Sequence, residues 1–180
     1  MKQLLQNYST GKLKVEDVPA PTLLPGGALV KTLYSAVSVG TEKAMLSFAK
    51  QSMLGKARKR PDLVRQVIAK ARTDGVLSAY RAARERLDRP MPLGYSSAGH
   101  VLEVSQEVAG LSPGDLVACA GDGYASHSEV VFVPQNLMAK VPANVPVKEA
   151  AFATLGAIAL QGIRRAELTL GECVAVIGLG

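Results

Sequence analysis

The amino-acid sequence predicts a mainly β fold with some α-helix. The expected form is a partly open β-barrel that carries a helical insertion and is followed by a linking helix and one buried strand. About six short apolar runs separated by glycine and proline turns predict the barrel. Between about residues 43 and 90, apolar side chains recur with a helical period instead. An alanine-rich stretch after Pro146 leads into an apolar run that ends in glycines, so we expect two domains, residues 1–146 and 147–180.

The strands of the barrel lie on both sides of the insertion. Residues 2–8 and 12–18 flank Ser9-Thr10-Gly11, whose glycine supplies the positive φ that a tight hairpin turn requires. Prolines and glycines between residues 19 and 27 make the next break, and a β-rich run follows over 28–39. After the insertion, strands are predicted over 96–104, 116–120 and 126–133.

Helices are predicted in the insertion and after Pro146. Residues 62–73 and 76–87 each place their apolar side chains on one helical face, and a weaker helix is predicted over 44–54. The linking helix is expected over 147–167, and the last strand over 172–177.

Length and composition are those of an ordinary globular chain, with 180 residues of which 48% are hydrophobic and 20% charged. The N-terminus lacks the apolar stretch of a signal peptide, so we expect a cytoplasmic protein. The longest apolar run, residues 150–160, is about half of the roughly 20 residues that a membrane span needs, and no span is expected. Two cysteines, Cys119 and Cys173, are too few for a four-cysteine structural zinc lobe.

The net charge of +6 is concentrated in the insertion. Residues 43–89 contain 13 Lys and Arg against 4 Asp and Glu. Three interpretations stay open: solvated helix faces, a surface for an anionic substrate or partner, and contact with nucleic acid or a membrane. Aromatic side chains that stack on bases are almost absent there. We expect neither nucleic acid nor a membrane as a partner.

The chain closes on Gly178-Leu179-Gly180, directly after the predicted last strand. A strand ending in G-x-G opens the dinucleotide-binding pattern G-x-G-x-x-G, in which one glycine makes a tight turn and the next lets the backbone approach a pyrophosphate. An ordinary buried strand that ends in a glycine turn explains the same residues. Because the third glycine and the ribose-binding acid would follow Gly180, we expect this chain by itself to bind a dinucleotide poorly and to be inactive.

Three segments in order resemble the medium-chain dehydrogenase/reductase superfamily, which includes the zinc-type alcohol dehydrogenases. Residues 111–117, LSPGDLV, resemble its G-[FY]-x-x-G-D-x-V turn, and residues 123–129, GYASHSE, resemble its G-x-[YF]-A-x-[HY] strand start. The run 174–180 stands where the family has its first nucleotide-binding strand. The resemblance covers nearly the whole chain except residues 45–90. It implies a GroES-like catalytic domain followed by the start of a truncated Rossmann domain that binds NAD or NADP.

Within the superfamily, Ser38-Val39-Gly40-Thr41-Glu42 is similar to a zinc-lacking branch that includes bacteriochlorophyllide-type and bi-domain oxidoreductases. Zinc-type members hold the metal with three protein ligands and keep a fourth position open. The corresponding positions here are Ser38 or Val39, Tyr95 and a position near Thr154, and none of them binds zinc well. The resemblance therefore implies an enzyme without catalytic zinc.

Without zinc, hydroxyl groups must stabilise the charge on the substrate oxygen and transfer the proton. Hydrogen-bond donors stabilise a developing alkoxide, and a hydroxyl or a water chain transfers the proton. The resemblance makes Tyr95 the candidate donor and Thr41 the candidate proton relay, with Ser38 as a further catalytic candidate. A packing role, in which Tyr95 fills the volume of the missing metal site, stays open. The candidate cofactor-binding residues are Gly178, Gly180 and Thr154.

Three ionisable side chains are expected to be structural. Glu42 is expected to pair with a nearby basic residue rather than take part in chemistry. His100 and His127 have no cysteine or acid neighbours at metal-ligand spacing, and each is expected to stabilise its strand region.

The leading functional hypothesis is a zinc-independent, NAD(P)-dependent oxidoreductase that acts on an alcohol or carbonyl group of a small molecule. The basic insertion leaves an anionic substrate open. The resemblance also leaves open a homo-oligomer and a fused downstream oxidoreductase domain. The alternative hypothesis is a non-catalytic binding or assembly module whose basic helical arm engages an anionic partner.

Overall fold

In this computed structural model, the described strands form two antiparallel sheets, and helices follow the third and the last of these strands. The structure describes residues 1–7, 10–49 and 90–178, together with 64–65, 68–69, 72–73, 75, 77–78 and 81. The strands are β1 (Lys2–Asn7), β2 (Leu13–Asp17), β3 (Gly27–Ser35), β4 (Pro90–Pro92), β5 (Ser96–Val104), β6 (Leu116–Ala120), β7 (Val130–Pro134) and β8 (Met138–Lys140). The α-helices that are described from end to end are α1 (Val39–Ala49), α2 (Val147–Ala150) and α3 (Ala153–Arg165).

The larger sheet has five strands in the order β7-β3-β5-β6-β8. β3 pairs with β5 from Ala28 opposite Val104 to Ser35 opposite Ser97, with a register shift between Thr32 and Tyr34. The pairing is antiparallel, so the end of β3 lies beside the start of β5. β5 and β6 also pair antiparallel, which brings the end of β6 to the same place. Three chain segments therefore meet at one edge of the sheet.

The smaller sheet has the order β2-β1-β4, and β1 contacts the residues directly before β7. Gln3 forms an isolated bridge with Ser128, and the Leu4 N–H donates to the His127 carbonyl at 2.9 Å. The two sheets thus curl into a partly open barrel, and the predicted fold class is confirmed. β1 and β2 pair as the expected hairpin, with Gly11 at a φ of +73°, while Ser9 of the predicted turn lies outside the described residues.

Small and β-branched side chains fill the core. The main cluster consists of Ala28, Val30, Val101, Val117, Cys119, Ala125, Val131 and Val133. Along β6, Val117 and Cys119 face this cluster, and Ala118 between them faces the other side, as a strand requires. On that other side, Ala118 packs with Ala98 and with the α2 end at Ala150 and Ala151. The small side chains let the helix approach the sheet closely.

Two helix predictions need correction. α1 begins at Val39, five residues before the expected start at 44. The sequence pattern missed this first turn because the turn is polar and carries no apolar stripe. The single helix expected over 147–167 is wrong: α2 and α3 are separated at Ala151 and Phe152, and α3 ends at Arg165. The Ser96 hydroxyl donates to the Ala151 carbonyl at 2.6 Å, and this bond from the sheet holds the chain at the break.

The strand expected over 172–177 does not form. Residues 172–178 have no regular secondary structure, and Val176 and Ile177 are 77% and 99% exposed. A strand is stabilised by backbone hydrogen bonds to neighbouring strands, and none of the described strands lies beside this segment. The apolar pattern alone was therefore not sufficient for a strand.

Most of the insertion lies outside the described residues, including the basic run 56–60. Within the helices expected over 62–73 and 76–87, the described positions are helical, and the rest of both predictions lies outside. In the portions of the chain that are described, no helix is both long and apolar enough to cross a membrane.

The two cysteines differ sharply in environment. Burial raises the pKa of the Cys119 thiol from 9.0 to about 12, and the Ser97 hydroxyl opposite it offsets part of this rise. Cys173 is exposed. Because the thiolate is the reactive form, we expect Ellman's reagent at pH 8 to react with one thiol of the folded 180-residue chain and with two after denaturation. Two fast thiols in the folded chain would contradict the buried position of Cys119.

The raised pKa also gives a direction for stability at high pH. The neutral thiol is favoured in the folded state, so its contribution is complete below about pH 9 and is lost as the pH rises toward 12.

Candidate functional site

The candidate site lies where the end of β3, the start of β5 and the end of β6 meet. The Ala36 N–H donates to the Ser96 carbonyl at 2.9 Å, and the Gly121 N–H donates to the Tyr95 carbonyl at 2.9 Å. These two hydrogen bonds hold the loop after β3 and the turn after β6 against the turn that begins β5. Two of the catalytic candidates, Ser38 and Thr41, follow the loop after β3. The third, Tyr95, lies in the turn before β5.

Ser38 and Thr41 come together at the start of α1. Ser38 directly precedes the helix, and Thr41 lies in its first turn, so their side chains share one face. The Ser38 hydroxyl donates to the Thr41 Oγ1 at 3.1 Å. The Glu42 N–H donates to the Ser38 carbonyl at 2.8 Å and fixes the turn. The structure therefore gives a pair of hydroxyls, with Ser38 half-buried and Thr41 exposed.

Tyr95 lies in the turn between β4 and β5, next to Gly94, which has a φ of +94°. Its side chain is half-buried, and its backbone is held by Gly121. The turn that bears Tyr95 therefore lies at the same edge of the sheet as the loop after β3 that leads to Ser38.

Thr154 faces this turn from the first turn of α3. Its Oγ1 lies 3.5 Å from the Tyr95 carbonyl oxygen and 3.4 Å from the Cys119 carbonyl oxygen. A hydroxyl has one proton, so the group donates to one of the two carbonyls at a time. Thr154 joins the helix to the sheet here, and its suggested contact with a cofactor stays a prediction.

A hydrogen-bonded array that includes Ser35 lies next to these hydroxyls. His127 Nε2 is 3.1 Å from Glu42 Oε1, and His127 Nδ1 is 2.8 Å from the Ser35 Oγ. The basic partner expected for Glu42 is therefore His127. Sequence patterns missed Ser35 and this pairing because 85 positions separate Glu42 from His127. The other histidine, His100, is exposed and faces the Gly114 carbonyl at 3.1 Å, away from the array.

Gly94 is required by the histidine ring. A Cβ at this position would lie 2.9 Å from three atoms of the His127 ring, and the positive φ strains any other residue. The ring is thus packed flat against the backbone of the residue that precedes Tyr95.

The donor set does not fit a three-ligand zinc site. Ser38, Tyr95 and Thr154 offer neutral hydroxyls, whereas zinc in proteins is held by thiolate, imidazole or carboxylate groups. The imidazole of His127 and the carboxylate of Glu42 are hydrogen-bonded to each other. Across the described stretches, no three His, Cys, Asp or Glu side chains are grouped closely enough to hold a metal ion.

The described part of the chain contains one of the two candidate phosphate-binding glycines. Gly178 has a φ of +88°, and the space where a Cβ would stand is open. Both features fit a backbone that a phosphate group can approach. Gly180 lies outside the described residues.

Comparison with known proteins finds similar curated sequences and many similar solved structures. No family model matches the chain. An "uncharacterized zinc-type alcohol dehydrogenase-like protein" of Haemophilus influenzae is 28% identical over 131 residues, which is 58% of this chain and 38% of that protein.

Among solved structures, the quinone oxidoreductase from Coxiella burnetii superposes with a TM-score of 0.66 at 20% identity, covering 95% of this chain and 46% of that one. The quinone oxidoreductase from Thermus thermophilus, also solved in complex with NADPH, gives 0.58 at 16% identity, covering 93% and 41%. At such identities the likeness shows the fold.

The chain thus spans less than half the length of these proteins. The similar sequence and the shared fold agree with the resemblance of this chain to the medium-chain dehydrogenase/reductase superfamily.

Proposed function

We propose that the chain forms the N-terminal, substrate-binding part of an NAD(P)-dependent oxidoreductase that acts on an alcohol or carbonyl group without zinc. The observation that supports this most is the placement of the hydroxyls: the bonded pair of Ser38 and Thr41 and the turn that bears Tyr95 meet at one edge of the sheet. The fold is shared with quinone oxidoreductases, one of which was solved with NADPH.

The chemistry divides between the cofactor and the side chains. The nicotinamide ring, when bound, supplies or accepts the hydride. In the reducing direction, the Tyr95 phenol donates a hydrogen bond to the substrate oxygen and stabilises the negative charge that develops there. The pair of Thr41 and Ser38 passes the proton between this oxygen and water, since the Ser38 hydroxyl already donates to Thr41. Gly178 would contact the cofactor phosphates, and Thr154 would lie beside the nicotinamide.

Zinc independence is supported by the chemistry of the donor set. A Lewis acid polarises a carbonyl without proton transfer, whereas hydroxyl donors polarise it by hydrogen bonding. The candidate positions hold only hydroxyls, and His127, the histidine nearest to them, is already bonded through both ring nitrogens. The similar Haemophilus protein has "zinc-type" in its name, which makes metal content the informative measurement.

The complete protein, purified in metal-free buffer, tests the proposal. We expect NADH or NADPH to be oxidised with a carbonyl substrate, zinc to remain below about 0.1 per chain, and the rate to be unchanged after incubation with a chelator. Stoichiometric, tightly held zinc, with loss of turnover on chelation, would show that the hydroxyls do not replace the metal. Absence of both cofactor binding and turnover would exclude the oxidoreductase assignment itself.

The remaining assignments are proposals of the same kind. We place the protein in the cytoplasm, with a small-molecule substrate that is anionic if the basic insertion contributes to the site. A homo-oligomer and a fused downstream oxidoreductase domain are compatible with this assignment.

A further inference from the structure

Glu42 and His127 form an ionisable pair that the proposed chemistry does not use. Their side chains are 13% and 10% exposed, and the Glu42 Oε1 lies 3.1 Å from the His127 Nε2. A carboxylate only accepts hydrogen bonds, so the Nε2 carries the proton between them. At this low exposure the interaction is screened far less than a surface ion pair.

The carboxylate of Glu42 holds the start of α1. The same Oε1 that faces His127 also accepts the Ser38 N–H at 3.1 Å, and the Glu42 N–H donates back to the Ser38 carbonyl at 2.8 Å. Ser38 is therefore bonded to Glu42 through both its backbone groups. Because the Ser38 hydroxyl donates to Thr41, a shift of the carboxylate displaces both hydroxyls.

His127 holds the turn that bears Tyr95. The backbone N–H of His127 donates to the Leu93 carbonyl at 2.7 Å, and the imidazole ring packs against the Gly94 backbone. The Nδ1 on the other side of the ring faces the Ser35 Oγ at 2.8 Å, at the end of β3. The ring is thus fixed on both sides and touches the residue directly before Tyr95.

The hydrogen bond between Glu42 and His127 therefore gives a side-chain connection between the two parts of the hydroxyl site, beside the backbone bond from Ala36 to Ser96. We propose that Glu42 and His127 are positioning residues that set the separation between the Tyr95 phenol and the hydroxyls of Ser38 and Thr41. This inference rests on the proposed function, because the property that it affects is the turnover of the oxidoreductase. An apolar pair would fill the same volume, but it could not accept the Ser38 N–H.

Two replacements of Glu42 in the complete protein separate positioning from charge. Glu42→Ala removes the acceptor of both hydrogen bonds, and we expect kcat to fall about tenfold or more, since catalysis is sensitive to small displacements. Glu42→Gln retains an oxygen that accepts from Ser38 and His127, and we expect kcat to stay within about threefold of the parent. The KM for NADPH should stay within about twofold in both variants.

Glu129→Ala is the matched control. Glu129 is another carboxylate close to His127 in sequence, but its Oε2 accepts the Lys2 N–H at 2.8 Å, on β1. Its removal should leave kcat unchanged. An unchanged kcat in Glu42→Ala would overturn the positioning role without affecting the proposed function. An equal loss in Glu42→Ala and Glu42→Gln would also overturn it, because the charge would then matter rather than the placed oxygen.

A second measurement does not depend on turnover. With 3-fluorotyrosine incorporated, the ¹⁹F NMR signal of Tyr95 is assigned by its loss in Tyr95→Phe. We expect this signal to move in Glu42→Ala, to return toward its original position in Glu42→Gln and to be unaffected by Glu129→Ala. If the parent protein shows no turnover, the proposed function fails, and a Tyr95 signal that does not respond to Glu42→Ala overturns the positioning role separately.

Ser35→Ala keeps the proposal testable if Glu42→Ala does not fold. This change removes only the hydroxyl that faces the His127 Nδ1. We expect kcat to fall about threefold or more, together with a shift of the Tyr95 signal. If neither kcat nor the Tyr95 signal changes, the His127 ring does not determine the position of Tyr95, and the inference is wrong.

Discussion

Replacement of Tyr95 by phenylalanine is expected to lower kcat of the complete protein about 100-fold or more, since removal of one donor to a developing oxyanion lowers kcat by about 10²–10³-fold. The phenol is the proposed donor to the substrate oxygen. Loss of an oxyanion donor has an effect of similar size in other enzymes because the charge that develops on oxygen is left without a partner. The ring itself stays in place, so the thermal midpoint of unfolding should change little.

Steady-state kinetics of Tyr95→Phe and of a second tyrosine variant test this expectation. Tyr124→Phe is the matched control: Tyr124 is 40% exposed in the turn after β6 and is not among the candidate residues. It should leave kcat unchanged. If Tyr95→Phe retains the parental kcat, the phenol is not the donor and Tyr95 fills volume between the turn and the helices.

Two central strands and the first hairpin were the most predictable parts of the fold. β5 and β6 have the predicted bounds, 96–104 and 116–120. Both are flanked by glycine or proline turns, and their β-rich composition is a local property that needs no knowledge of partners. The β1–β2 hairpin follows from the same kind of local signal.

Predictions failed where distant contacts decide the structure. The break between α2 and α3 coincides with a hydrogen bond from Ser96, which lies 55 positions away from Ala151. The run 172–177 has the composition of a buried strand, but a strand exists only when neighbours supply its hydrogen bonds. Neither contact is visible in a window of sequence.

The candidate site shows the same division. The positions of Ser38, Thr41 and Tyr95 came from the family resemblance, and the structure brings the first two to within 3.1 Å. The pair of Glu42 and His127 joins segments 85 positions apart, and Ser35 and His127 are 92 apart. No periodicity or spacing links such residues, so their relationship required the fold.

Gly99 shows how a close backbone approach can make one glycine indispensable. It lies in β5 opposite Thr32, where β3 shifts register. A Cβ at this position would lie 2.0 Å from the Lys31 carbonyl oxygen and 2.9 Å from the Thr32 Cα. Both contacts are with backbone atoms, which cannot rotate away as a side chain can. The central pair of the larger sheet must therefore separate locally to accept any side chain here.

Gly99→Ala is accordingly expected to lower the free energy of unfolding by about 3–5 kcal/mol, from overpacking and from weakened hydrogen bonds between β3 and β5. For a chain of this length, that corresponds to a fall of about 10 °C in the thermal midpoint. Gly156→Ala is the control: Gly156 lies in α3 with no atom near the added methyl group, and alanine should raise stability by about 0.5–1 kcal/mol. Denaturant or thermal unfolding followed by circular dichroism distinguishes the two variants. A Gly99→Ala midpoint equal to that of the parent would show that β3 and β5 are not packed this closely.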